Sequence, residues 1–183
     1  QPLEDGHVTV SRAQGSALFP ARFTLLAAMN PCPCGFLTDK EQTCTCTYPQ
    51  VQKYKKRLSG PLLDRMDLFL EVPKVKTHEL TDLTPAESSA YIRLRVQKAR
   101  DRQTVRLKPL GLQMNAELSS DHVRRLIQVT DAGRELLRAA IDRHHLSARS
   151  YFRLLKVAQT IADVDEKEVV DIPHVAEALR YRQ

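Results

Sequence analysis

All four cysteines of the chain fall in one short window, as Cys32-Pro-Cys34 and Cys44-Thr-Cys46. No other feature constrains the local fold so tightly. Two C-x-C pairs joined by a short polar loop offer four thiolates to a single centre, and zinc favours that donor set in a tetrahedron. Pro33 and Gly35 suit a tight first turn, and Thr45 and Thr47 are compatible with a second. C-x-C is tighter than the usual C-x2-C pair and less specific. Two readings therefore stand: a Zn2+ held by Cys32, Cys34, Cys44 and Cys46, or a loop of free thiols. Four protein thiolates leave no open coordination position, so an ion here is structural.

The window follows Phe23-Thr-Leu-Leu-Ala-Ala-Met-Asn30, an apolar run without alternation. That pattern predicts a strand buried on both faces, with Asn30 at its tip. His7–Val10 is a short β-prone stretch after Glu4-Asp5-Gly6, and Phe69–Val72 reads as another strand closed by Pro73. Between them a helix is predicted over Gln50–Arg57, with a break at Gly60-Pro61. From about residue 84 the pattern is helical. Thr84-Pro85-Ala86-Glu87 matches a capping box opening a helix to about Arg106. Ser119 or Ser120, then Asp131, then Ser147 cap further helices, and a last short one follows Pro173. Tyr151, Leu154, Leu155, Ala158, Ile161 and Ala162 keep a 3.6-residue period, with Leu136, Leu137, Ala140, Val123 and Val175 facing inward on their own helices. The organisation is an α/β part over residues 1–75 and a helical bundle over 76–183, with a hinge near Pro73–Leu83.

The net charge of +6 permits an anionic partner without requiring one. No run approaches the roughly 20 apolar residues of a membrane span, and the start has no signal-peptide pattern. Cysteines confined to one cluster suit a reducing compartment. Cytoplasm is the expected location, with no membrane partner. The chain also opens without methionine, as an excised fragment or processed product would.

Three arginines stand out. Arg65 lies in Ser59-Gly-Pro-Leu-Leu-Asp-Arg-Met-Asp-Leu68, at the end of a short helix. Arg149 and Arg153 are one turn apart, with Lys156 on the same face. A permanently charged planar guanidinium suits a phosphate and stabilises charge that develops in phosphoryl transfer. The blander reading gives Arg65 an ion pair with Asp64 or Asp67 and puts the other two on a solvated face. Seven basic residues against one acid between Arg93 and Lys108, and the cluster Gln52-Lys-Tyr-Lys-Lys-Arg57, either track a phosphate backbone or cover an exposed helix.

Taken together, Gln1-Pro-Leu-Glu-Asp-Gly6, Val10-Ser-Arg12, Phe19-Pro-Ala21, Ala27-Ala-Met-Asn-Pro-Cys-Pro-Cys-Gly35, Ser59–Leu68, Leu146-Ser-Ala-Arg149, Leu155-Lys-Val-Ala158 and Thr160-Ile-Ala-Asp163 resemble the magnesium-chelatase-like AAA+ ATPases of the ComM (YifB) competence type. The resemblance runs in the family's order from residue 1 to about 182. It implies an α+β fragment of an α/β AAA+ module, an incomplete sheet portion followed by an all-helical lid. It assigns Asn30 as the sensor-1 residue that orients the attacking water, and Arg65 as the arginine finger reaching a neighbouring subunit. It assigns Arg149 as the sensor-2 arginine, with Arg153 beside it toward the nucleotide, and residues 1–12 as the hairpin before sensor 1.

The chain contains no G-x-x-x-x-G-K-[ST] and no apolar strand ending in Asp-Glu. In the family both lie N-terminal to these residues. ATP and Mg2+ are thus expected cofactors of the full-length protein, and this chain alone is expected to be inactive. Residues 1–75 would lack sheet neighbours and be open to abnormal packing or to pairing with another copy. The implied function is part of a hexameric ATPase motor, self-associated in a ring and acting on DNA by helicase-like branch migration in natural transformation. The alternatives are an ATPase driving metal insertion into a porphyrin, and a zinc-stabilised adaptor without motor activity.

Overall fold

The computed structural model describes residues 2–13, 15–75, 85–144 and 146–182. They divide into two units, one ending at Met66 and one starting at Asp67. The architecture is α+β, with a small antiparallel sheet early in the chain and helices dominating the rest.

In the first unit a single turn, α1 (Pro2–Asp5), leads into a hairpin. Gly6, at φ +64, makes the left-handed turn that a residue with a Cβ adopts only with strain. Strand β1 (His7–Arg12) pairs antiparallel with β2 (Gly15–Pro20), in register from His7 opposite Pro20 to Arg12 opposite Gly15. The short strand expected over His7–Val10 is thus one arm of a hairpin reaching Pro20, beyond the residue 12 at which the hairpin was expected to end. A hydroxyl pair, Ser11 with Ser16 at 2.8 Å, ties the arms near the tip.

The apolar run Phe23–Met29 is not a strand. Residues 21–47 carry no helix or strand, and Leu26 is 95% exposed. The reason is physical: an extended apolar segment becomes a buried strand only against ladder partners, and among the described residues the sheet has β1 and β2 alone. Beyond the cysteine loop, α2 (Tyr48–Lys55) opens at Thr47, whose N–H donates to Gln50 Oε1 at 2.8 Å, and it buries Val51. The Gly60-Pro61 pair opens a helix as well as breaking one: α3 (Gly60–Leu63) is capped by Ser59 Oγ, which accepts from the Leu62 N–H.

In the second unit Phe69–Val72 likewise forms no ladder. Val72 is 88% exposed, although the Phe69 N–H donates to the Tyr181 carbonyl. Thr84 and most of the expected hinge lie outside the described residues. Residues 85–88 are not helical, and α4 (Ser89–Leu107) starts later than the capping-box reading placed it, on Ser88 Oγ, which accepts from the Tyr91 N–H. Ser119 caps α5 (Ser120–Leu126). For α6 (Asp131–His144) the capping oxygen is Thr130 Oγ1, accepting from the Gly133 N–H, so Asp131 is the first helical residue and not the cap. Ser147 caps α7 (Ala148–Val164), and α8 (Ile172–Arg180) closes the bundle with Pro173 in its first turn.

Helix α7 is central. Its Leu154, Leu155, Ala158 and Ala162 are buried with Leu107, Val123, Leu137, Val175 and Ala178 from the helices around it. A parallel bridge between Val129 and Val170 sets the starts of α6 and α8 side by side, and the Thr130 hydroxyl donates to Asp171 across it. That bond holds the Asp171 carboxyl below its ordinary range. A depressed carboxyl stabilises the fold above its ordinary pKa and loses that contribution as pH falls through the lowered value. Thr130→Val is therefore expected to flatten the acid limb of a pH–stability curve of the chain; an unchanged limb would count against the bond. Ser147→Ala, which removes the N-cap of the central helix, is expected to cost about 1 kcal/mol in urea unfolding.

The bundle also buries a polar cluster that the sequence reading did not pick out. Arg106 makes a two-pronged pair with Asp163, both contacts at 2.7 Å, and Asp163 is fully buried. Asn115 accepts from Arg106, donates to Asp163 and to Thr160, and its backbone N–H donates to Gln103. Gln159 donates to Asp163 from one turn back on α7.

Candidate functional site

The structure brings all four cysteines together. Their Sγ atoms lie within 4.8 Å of one another, with Cys32–Cys34 at 3.3 Å, Cys34–Cys44 at 3.5 Å and Cys32–Cys44 at 3.7 Å. Cys32 is fully buried and the other three partly so. The backbone explains the first arm. Gly35, at φ +87, lets the chain turn so that its N–H donates to the Cys32 carbonyl at 3.0 Å. A Cβ on Gly35 would have open space, with Asn30 Nδ2 3.9 Å away, so a substitution there meets backbone strain rather than a clash. Asn30 thus stands beside the turn that carries Cys32 and Cys34.

The electrostatics of the cluster divide its thiols. The Phe36 N–H, aided by the Thr45 N–H and by Cys32 and Cys46 and opposed by burial, draws Cys34 down to about 5. For Cys46 the Cys34 N–H favours the thiolate, but burial and the charge shared with Cys34 and Cys32 outweigh it and push the thiol up to about 12. Cys44 is favoured by the Cys46 N–H and raised on balance by burial and by Cys34 and Cys32. The Cys34 thiolate therefore forms readily while Cys44 and Cys46 hold their protons, because like charges this close resist joint ionisation. A bound divalent cation removes that resistance, since coordination ionises thiols outright.

Asn30 and Arg65 both belong to the first unit. Asn30 is exposed at the end of the apolar run. Arg65 follows α3, and its Nη1 donates back to the Pro61 carbonyl at 2.6 Å, across the last turn of that helix. Arg149 and Arg153 sit in the first two turns of α7 in the second unit. Arg153 is not on a solvated face: its side chain is 16% exposed and pairs with Asp67 at 3.0 Å. Lys156, one turn further on, donates to the Ala116 carbonyl; burial lowers its pKa, Asp67 opposing and Arg153 adding to the effect. Asp67 and Arg153 both lie in the second unit, so this ion pair is internal to it.

The basic stretch of α4 is partly engaged within the fold. Arg95 pairs with Glu87, Lys98 with Glu166 and Arg106 with Asp163. The functional signal missed in the sequence was the polar cluster around Asp163, and it was present: Gln159 and Asp163 occupy positions of the apolar stripe that Leu155 and Ala162 define. Polar residues on a core stripe announce a buried network.

Comparison with known proteins places both parts of the chain in one family. The family description "Magnesium chelatase, subunit ChlI" matches residues 1–80, and "Magnesium chelatase, subunit ChlI C-terminal" matches residues 86–182. The chain is 42% identical over its full length to the competence protein ComM of Haemophilus influenzae, covering 35% of that protein. It is 40% identical to the uncharacterised protein YifB of Escherichia coli, again along its full length and covering 35% of the relative. An uncharacterised protein of Mycobacterium bovis is 39% identical, with 36% of it covered. The chain thus spans about a third of the length of these relatives.

Proposed function

The chain belongs to the magnesium chelatase ChlI family, and from that membership we propose that it supplies the arginine-finger and lid portions of an AAA+ ATPase ring that acts on DNA. The observation that carries this reading is the 42% identity to a competence protein along the whole chain, with the motif Ser59–Leu68 intact. In the whole protein, a G-x-x-x-x-G-K-[ST] loop N-terminal to Gln1 would hold ATP and Mg2+. Asn30 would orient the attacking water, Arg65 would reach the nucleotide of the adjacent subunit, and Arg149 would contact the nucleotide of its own. Charge that builds on the transferring phosphoryl group is what such arginines stabilise.

Within this reading Arg153 does a different job from Arg149. Its charge is met by Asp67 within the second unit, while Arg149 sits one turn nearer the helix start. Arg149→Ala in the whole protein is expected to weaken nucleotide-dependent turnover by about 10–100-fold with no change in melting temperature. Full turnover would remove Arg149 from the site. DNA as the substrate is tested by binding of the whole protein to forked and single-stranded DNA across a salt series, where affinity should fall steeply as salt rises. A salt-insensitive or absent signal would refute it.

The matched family descriptions favour one second reading, an ATPase that drives magnesium into a porphyrin through a partner. It is preferred if turnover responds to a porphyrin-binding partner and not to DNA. Among the described residues no helix is long and apolar enough to cross a membrane.

A further inference from the structure

We propose that Cys32, Cys34, Cys44 and Cys46 bind one Zn2+ in a closed tetrathiolate site that folds the loop 31–47 and thereby fixes Asn30 at its root. The separations carry the argument. A tetrahedron with Zn–S bonds of about 2.3 Å has sulfur–sulfur edges of about 3.8 Å. Three of the pairs here stand at 3.3–3.7 Å and all four sulfurs lie within 4.8 Å. Disulfide bonding is excluded, since bonded sulfurs lie about 2.05 Å apart. An iron–sulfur cluster is a poor fit as well. Its cysteines ligate different iron atoms around a core of inorganic sulfide, which spreads them well beyond the edge of a single-ion tetrahedron.

A second, independent observation comes from what the loop lacks. Residues 31–47 form no helix or strand, and they run longer than the about 4–6 residues of a typical connection. Phe36 and Leu37 are exposed, yet Cys32 has no accessible surface. Backbone N–H groups inside the loop bond within it and to its sulfurs: Gly35 N–H to Cys32, Asp39 N–H to Phe36, Glu41 and Gln42 N–H to Asp39 Oδ1, and Phe36 and Thr45 N–H to the Cys34 sulfur. Convergence of four thiols on one point, in a loop without helix or strand, is what a metal supplies.

The chemistry balances without any redox partner. One Zn2+ takes four cysteine sulfurs, the protons still on those sulfurs leave to solvent, and the bound centre carries a net charge of −2. The N–H groups of Phe36 and Thr45 point at the Cys34 sulfur and offset part of that charge. No coordination position stays open, so the ion does not act on substrate. Its effect on the site runs through geometry: Asn30 lies two residues before Cys32 and beside Gly35.

The test uses the 183-residue chain purified without chelator. Elemental analysis should give about one zinc per chain, and Co2+ exchanged into the site should show the intense bands of a tetrahedral tetrathiolate centre. Cys32→Ser and Cys44→Ser should each lower the zinc content at least about fivefold. The helical bundle has its own core, so the far-UV helical signal should survive, which separates metal loss from general unfolding. As a measurement that needs no variant, chelation of the wild-type chain should make residues 21–47 the first site of proteolysis. Iron with sulfide, an octahedral cobalt spectrum, or a metal-free chain whose loop resists protease would each overturn the proposal. It stands apart from the motor reading, because absence of zinc would leave the effect of Arg65 on turnover untouched.

Discussion

ATP turnover by the whole protein is expected to fall by about 10³-fold or more when Arg65 becomes alanine, while nucleotide affinity changes by less than about threefold. An arginine delivered from a neighbouring subunit meets charge that is greatest in the transition state, so its loss appears in kcat rather than in binding. A factor of 10³ corresponds to about 4 kcal/mol of transition-state stabilisation. Arg65 leaves the last turn of α3, and its Nη1 donates to the Pro61 carbonyl. Arg65→Lys should rescue little, since an ammonium lacks the planar fork. Mixing decides the direction of action: Arg65→Ala subunits should regain turnover when assembled with subunits whose own nucleotide site is disabled but whose Arg65 is intact. Unchanged turnover in Arg65→Ala would sink the assignment, and loss without recovery in mixed rings would place Arg65 in its own subunit's site.

How much of this was legible beforehand depended on where each segment finds its partners. The bundle was read well because its partners lie within the same stretch of chain. The stripe Leu154, Leu155, Ala158 and Ala162 packs against helices that follow or precede it closely, so periodicity alone identified the core. The run Phe23–Met29 was read as a buried strand, and its composition is right for one, yet it forms no ladder and Leu26 stands in solvent. Strand identity is a property of pairing, and pairing is not written in the segment itself. The caps were displaced for a smaller reason of the same kind. Thr84, outside the described residues, and Asp131 were plausible caps by residue type, but Ser88 and Thr130 are the side chains that accept from N–H groups three residues ahead.

The cysteine window was legible as a candidate centre because four thiols in a short window leave few geometries. The arginines were not sorted by the sequence alone. Arg149 and Arg153 look equivalent one turn apart, and only the structure shows that Asp67 takes one of them. Asp67 was considered as a partner for Arg65 two residues away, whereas the structure pairs it with Arg153, 86 residues along the chain.

The second large effect is on stability. Asp163→Ala is expected to cost the chain about 3–5 kcal/mol, read as a lower urea midpoint with little change in slope. Asp163 has no accessible surface, so removing its carboxylate leaves Arg106 charged, mostly buried and without its two-pronged acceptor. Asn115 and Gln159 also donate to Asp163, so the deletion takes an acceptor from each of them as well. Asp163→Asn should fall between wild type and alanine, since an amide keeps the shape but turns one acceptor into a donor facing the guanidinium. Removing Arg106 as well should recover part of the loss: Arg106→Met with Asp163→Leu is expected to be less destabilised than Asp163→Ala, because two desolvated charges are replaced by apolar bulk. Recovery should stay incomplete, as Asn115 would lose the Asp163 acceptor and the Arg106 donor while its bond to Thr160 remains. A cost below about 1 kcal/mol for Asp163→Ala would mean that water reaches the cluster and that α4 and α7 are held by apolar packing alone. The functional consequence follows from position, since this network grips the far end of the helix whose first turns present Arg149 and Arg153.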